Sequence, residues 1–252
     1  MAGRGKKLTI GNIAVLAIAG ILYFLFPDTF KSILGPGGDE PAVVGTESVD
    51  VSGLPKTAKS FSTAKRYLYD DIYKGHKTTF YCGCKFNKNR DVSLGSCDVR
   101  PRKNEKRAKQ LEAEHVFPAY HFGQHRQCWR EPRKVCAEEF KNGKKISGRE
   151  CCEETDPVFL RAHNDLHNLY PSVGEINGDR SNYRWGMIAG EARAYGSCDI
   201  EVDSSSRRAE PPESVRGEIA RTYFYISETY GINLSDQQRK MFEAWNKEDP
   251  PD

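Results

Sequence analysis

Two stretches of the chain concentrate side chains able to move protons and hold cations. In Glu114–Gly123, reading EHVFPAYHFG, a carboxylate sits beside a histidine, a proline follows, and aromatics come after it. Further on, Asn164–Asn182 reads NDLHNLYPSVGEINGDRSN and is rich in carboxylate and amide oxygens. An unperturbed histidine titrates near ~6.5, so a neutral His115 can accept a proton from water at physiological pH. A hard divalent cation keeps several of its waters and needs few protein oxygens; Glu114 and Asn168 offer a carboxylate and an amide. A base, a cation that neutralises developing charge and an arginine that grips a phosphate are the parts a phosphodiester hydrolysis needs. Neighbouring side chains on a strand face opposite ways. Glu114 and His115 therefore share a site only if the chain turns near Pro118 or the cation lies to one side.

Each of these residues also has an ordinary structural reading. A lone Glu-His pair is usually a surface pair, and a lone Asn at a helix end is usually a cap. His163 and His167 stand at i, i+4, which suggests zinc, but Asn164, Asp165 and Leu166 lie between them and the glutamate of HExxH is missing. They read first as helix-face histidines. His121 and His125 read as structural or substrate-side.

The elements that must position these groups follow from pattern. Ser60 or Ser62 caps a helix running to Tyr73, with Ala64, Leu68 and Ile72 on one face. Lys77–Cys84 reads as a strand, Phe86–Asn104 as a surface loop, and Leu111–Phe117 as a strand stopped by Pro118. Gln124–Gly148 is polar and loop-like. Asp156 and Pro157 open a helix that Pro171 ends. Pro211–Tyr230 is amphipathic, and Ser235 caps a last helix burying Met241, Phe242 and Trp245. The expected class is α+β, a mixed α/β single domain.

A hydrophobic fraction of 38% and a charged fraction of 29% suit a soluble globular body. The formal charge of +3 is small, but its distribution is uneven. Arg100, Arg102, Lys103, Lys106, Arg107 and Lys109 crowd one stretch, and Arg126, Arg130, Arg133 and Lys134 another. Basic runs flanking the candidate chemistry favour phosphate binding over a plain solvated face. Eight cysteines, all after residue 80, sit behind an apolar N-terminus and fit an exported, disulfide-bonded domain. Cys84–Cys97 and Cys128–Cys136 are plausible local loops, Cys82 and Cys198 would staple the ends, and Cys151 and Cys152 look to different partners or leave one free. Residues 1–27 carry Arg4, Lys6 and Lys7 before an uncharged run, Ile10–Phe26. This is a signal-anchor or signal peptide, an uncleaved inner-membrane anchor being favoured, with the rest outside the cytoplasm. Residues 28–59 read as a flexible linker and 60–252 as the folded domain.

The ordered blocks TFYCGC, RKNEKRAKQLEAEHVFPAYHFG, QCW, NDLHNLYPSVGEINGDRSNYRW, EPPESVRGEIARTYFYISETYGINLS and FEAWNK resemble the bacterial endonuclease I family. The resemblance spans roughly residues 60 to 248. It implies an exported, sequence-non-specific nuclease of the ββα-metal (His-Me finger) type, cutting double- and single-stranded DNA and RNA to 5′-phosphate products in the periplasm or outside the cell, as a monomer. It also implies disulfides and Mg²⁺, with Mn²⁺ or Ca²⁺ able to substitute in binding. By position, His115 matches the general base, Glu114 the first metal ligand, Asn168 the second, and Arg133 the phosphate-holding arginine, with Lys134 as its substitute. Arg100, Arg102, Lys103, Lys106, Arg107, Arg126, Lys134 and Arg180 are the expected substrate-binding cations, and Glu175, Asn177 and Asp179 shape the site. The rivals are an inert exported DNA-capture module and a zinc hydrolase built on His163 and His167.

Overall fold

A computed structural model describes residues 50–190 and 193–251. The expected signal-anchor and most of the expected linker lie outside the described residues. No helix of the described residues is long and apolar enough to cross a membrane.

The chain enters along the body. Arg161 donates to the carbonyl of Pro55 at 2.6 Å, and Asn164 Nδ2 donates to that of Ala58 at 3.1 Å. Ser60 caps α1 (Phe61–Arg66), and a wider π-turn (Tyr67–Ile72) continues it, burying Ala64 and Leu68. The Lys77–Cys84 segment folds as turns rather than the expected strand. Gly83 takes φ +63°, the left-handed region that a glycine enters without penalty. Two disulfides, Cys84–Cys97 and Cys82–Cys198, then pull the CGC segment in different directions.

Asn104 caps a short α2 (Glu105–Ala108), which leads into β1 (Leu111–His115). The expected loop Gln124–Gly148 instead carries short helices. After α3 (Ala119–Gly123) come α4 (Gln127–Arg130), α5 (Pro132–Val135) and α6 (Ala137–Lys141). Next is α7 (Gly148–Thr155), closed at its start by a Ser147/Glu150 capping box. Cys128–Cys152 and Cys136–Cys151 lock α7 against α4 and α5, so the expected Cys128–Cys136 loop is not formed. Adjacent cysteines on α7 reach two different neighbours, which no single short loop could provide.

Asp156 caps α8 (Pro157–His163) as its sequence requires. The helix stops well before Pro171. Asp165 draws in the hydroxyls of Tyr225 and Tyr230 at 2.8 and 2.6 Å, and a 3₁₀ turn (Leu166–Asn168) follows. The chain then forms β2 (Leu169–Val173), antiparallel to β1 with His115 opposite Leu169 and Ala113 opposite Pro171. β2 runs into α9 (Gly174–Arg180). A Cβ at Gly174 would stand 2.5 Å from the Arg107 carbonyl, so this tight junction needs a glycine. β3 (Arg184–Trp185), β4 (Glu201–Asp203) and β5 (Arg208–Glu210) make a small sheet in the order β3-β5-β4. The C-terminal α10 (Arg216–Tyr230) and α11 (Asp236–Glu248) pack together through Tyr223, Phe242 and Trp245, Ser235 capping α11 as expected. The result is a mixed α+β body.

Candidate active site

β1 ends at His115 and the chain bends through Val116 and Phe117 to Pro118. This is the turn that two neighbouring side chains need to share a site. Its carbonyls and amides are all claimed. Asn168 Oδ1 accepts from the Phe117 N–H at 2.7 Å, and Asn168 Nδ2 donates to the Phe117 carbonyl at 2.9 Å. Arg180 donates to the carbonyls of His115 and Val116 at 2.9 and 2.7 Å, and Trp185 Nε1 to that of Val116 at 3.1 Å.

The bend opens onto a cavity of about 610 Å³. β1 contributes Glu112, Glu114 and His115 to its wall; α9 contributes Asn177 and Arg180; α1, α3, α4 and α7 contribute Phe61 and Lys65, Tyr120, Trp129, and Arg149. His115 Nε2 lies 2.8 Å from the His163 carbonyl. A carbonyl only accepts, so Nε2 carries the proton and Nδ1 is left as the lone-pair nitrogen. The ring stacks on that of His163, with centroids 4.6 Å apart. Burial first, then His163, Arg149 and Arg180, hold the His115 pKa well below its usual value, against the His163 carbonyl bond. The imidazole is neutral and able to accept a proton.

Glu114 is 1% exposed, and Oε1 takes both the Tyr81 hydroxyl at 2.8 Å and Arg180 Nη1 at 2.9 Å. Burial raises its carboxyl pKa; Arg180 and the Tyr81 hydrogen bond oppose this, and Glu112 adds to it. Two strand residues away and on the same face, Glu112 accepts a bidentate contact from Arg107 at 2.8 and 2.9 Å. Asn177 Nδ2 donates to Glu112 Oε2 at 2.9 Å, which leaves the Asn177 amide oxygen as a free acceptor type.

The structure brings together only part of what the sequence nominated. Glu114, His115, Arg107 and Arg180 line the cavity, and Asn168 and Arg133 do not. Asn168 is 3% exposed, does not line the cavity, and has both ends of its amide bound to Phe117, so it clasps the bend. The amide that faces the cavity is Asn177, expected only to shape the site. Its signal lay in the sequence: it stands on the helix that directly follows the second strand, but that strand was hidden by Pro171. Arg133 is exposed and lies over the Phe140 ring. Arg180 is 1% exposed and serves as an internal strut rather than a substrate contact. Arg126 is held by Asp156 at 2.6 and 2.8 Å, and Arg102 by Asp179 and the Tyr195 hydroxyl. Lys134 faces Glu131 at 3.7 Å. Arg100, Lys103 and Lys106 are exposed. Glu175 anchors their loop by accepting the N–H groups of Arg102, Lys103 and Asn104. Burial opposes ionisation of Glu175, but these three bonds outweigh it and lower its pKa.

The zinc alternative finds no support in this geometry. His163 ends α8 and His167 lies in the following 3₁₀ turn. Among the described residues no group of three or more His, Cys, Asp or Glu side chains is arranged to hold a metal. A carboxylate and an amide oxygen do suit a hard cation that keeps its waters. The crowding of Glu112 and Glu114 on one face, with Glu114 raised in pKa, is what such a cation would relieve.

Comparison with known proteins finds relatives over nearly all of the body. The Endonuclease I family model matches residues 60–252. An extracellular deoxyribonuclease of Aeromonas hydrophila is 43% identical over 203 residues, covering 79% of this chain and 82% of the relative. A periplasmic deoxyribonuclease of the same organism is 42% identical over 199 residues, 77% of each chain. Endonuclease-1 of Buchnera aphidicola (Acyrthosiphon pisum) is 40% identical over 195 residues, 76% of this chain and 71% of the relative. With the bent strand, its paired glutamate and histidine, and matches of this length, the chain belongs to the endonuclease I family.

Proposed function

We propose that the protein is an exported, metal-dependent endonuclease that hydrolyses DNA, and RNA, without sequence specificity. The observation that carries this reading is His115, whose proton is committed to a main-chain carbonyl and whose second nitrogen is free in a cavity shared with Glu114. In the reaction, His115 Nδ1 takes a proton from water as the water oxygen bonds to phosphorus. The P–O3′ bond breaks and the leaving oxygen takes a proton from solvent water, giving a 3′-hydroxyl on one strand end and a 5′-phosphate on the other. The Tyr81 hydroxyl and Arg180 hold the Glu114 carboxylate in one orientation. Glu114 and the Asn177 amide oxygen would hold a Mg²⁺-type ion, with Asn177 in the place expected for Asn168. When bound, such an ion neutralises phosphate charge and stabilises the leaving oxygen. The exposed basic groups Arg100, Lys103 and Lys106 would contact phosphates, which carry no base information. The ββα arrangement of β1, β2 and α9 supports the His-Me finger assignment. Export is favoured by the relatives named as extracellular and periplasmic enzymes and by the four disulfides.

Plasmid nicking by the oxidised protein tests the reading. Cleavage should require a divalent cation, stop with chelator, and fall by at least about 10²-fold in His115→Ala while duplex binding persists. Equal activity of wild type and His115→Ala would remove the base assignment, and binding without any cleavage would favour the capture module.

A further inference from the structure

The cavity wall holds four cations, and two are already neutralised: Arg107 by Glu112 and Arg180 by Glu114. Arg149 is different. No carboxylate among the described residues lies within ion-pair distance of it. Glu153, its neighbour one helical turn on, contacts His163 Nε2 at 3.0 Å instead. The Arg149 guanidinium stands 6.0 Å over the Trp129 ring at the cavity wall, where burial lowers its pKa against the pull of Glu153. Lys65, the other unpaired cation, is a flexible point charge over Phe61.

The mounting of Arg149 is rigid. It is the second residue of α7, held by the capping box and by two disulfides to α4 and α5. Gly148 lets the helix start press against α4, since a Cβ there would stand 2.4 Å from the Trp129 carbonyl. Arg149 and His115 line the same cavity. A planar, unpaired guanidinium beside the base, fixed on a braced element, matches the two non-bridging oxygens of a phosphate.

From this arrangement we infer that Arg149, rather than Arg133, is the arginine that grips the scissile phosphate. The inference rests on the hydrolase reading above. Arg149 donates N–H bonds to the phosphate oxygens as charge builds on them, and no bond to the guanidinium forms or breaks.

The test uses the full, oxidised chain with Mg²⁺ and a fluorogenic oligonucleotide, comparing Arg149→Ala, Arg149→Lys and Arg133→Ala. Arg149→Ala should lower kcat on the order of 10²–10³-fold, the loss typical of one preorganised donor. Arg149→Lys should recover a minor part, and added guanidinium ion should partly rescue the alanine variant. Arg133→Ala should stay within about threefold of wild type. The inference is overturned if Arg149→Ala keeps a third of wild-type kcat, or if Arg133→Ala takes the loss. If the alanine variant does not fold, Arg149→Lys decides, since full activity there excludes a bidentate role. A wild type that cleaves nothing under any metal would instead remove the hydrolase reading itself.

Discussion

At the scale of the residue, two buried side chains do work the sequence assigned elsewhere. Asn168 imitates a peptide group, giving Phe117 a donor and an acceptor just where strand pairing runs out. Replacing it with alanine leaves a buried N–H and C=O without partners, a loss of about 2–4 kcal/mol. Urea denaturation of Asn168→Ala should show that loss, whereas Asn177→Ala should weaken Mg²⁺ binding with little change in stability. The reverse pattern would restore Asn168 as the ligand. Arg180 is the second case. Arg180→Met would strand a fully buried Glu114 charge and remove donors from two carbonyls, so we expect about 3–5 kcal/mol of destabilisation. A melting temperature unchanged in Arg180→Met would contradict the strut. The Glu114-His115 pair was legible because it lies on one short strand. That Asn177 and Arg149 line the same cavity was not, because a side chain's direction depends on partners distant in sequence.

At the scale of the element, glycines mark where helices and strands approach too closely for a side chain. A Cβ at Gly148 would meet the Trp129 backbone, which two disulfides prevent from moving away. A Cβ at Gly178 would instead meet the guanidinium end of Arg107 at 2.2 Å, and a long side chain can swing aside. Gly148→Ala should therefore lower the melting temperature by several degrees, and Gly178→Ala by much less, in paired thermal scans; equal shifts would refute the distinction. Helices with a cap and a stripe, such as α8 and α11, were readable from Asp156 and Ser235. β2 was not. Pro171 argues against a strand, but Asp165 ends α8 early through bonds to two tyrosines of α10, and no local pattern carries that information.

At the scale of the whole molecule, two histidines tie stability to pH. Burial first, then Arg180 and Arg184, push His121 down to about 4, and His115 is also depressed. In the unfolded chain both titrate near ~6.5, so below that value the unfolded state binds more protons. Stability present above about 6.5 is thus lost as pH falls toward 4, by on the order of 3 kcal/mol from His121 alone. Urea midpoints at successive pH values should fall in that window, and a midpoint that rises on acidification would contradict it. With Arg100, Lys103 and Lys106 as the proposed phosphate contacts, DNA affinity should be steeply salt-dependent, falling on the order of 10³-fold between low and moderate salt. A salt-independent binding isotherm would be incompatible with the basic loop as a substrate surface. The Cys82–Cys198 bond, closing a separation of 116 residues, has a consequence of another kind. Glu114, His115, Arg149 and Asn177 all lie within that covalent ring. An extracellular protease that nicks any loop of the ring cannot release a fragment, because the two new ends stay joined through the sulfur bridge. A nicked molecule should run as one species without reductant and as two with it, and in the first form it can still hold both halves of its site in place.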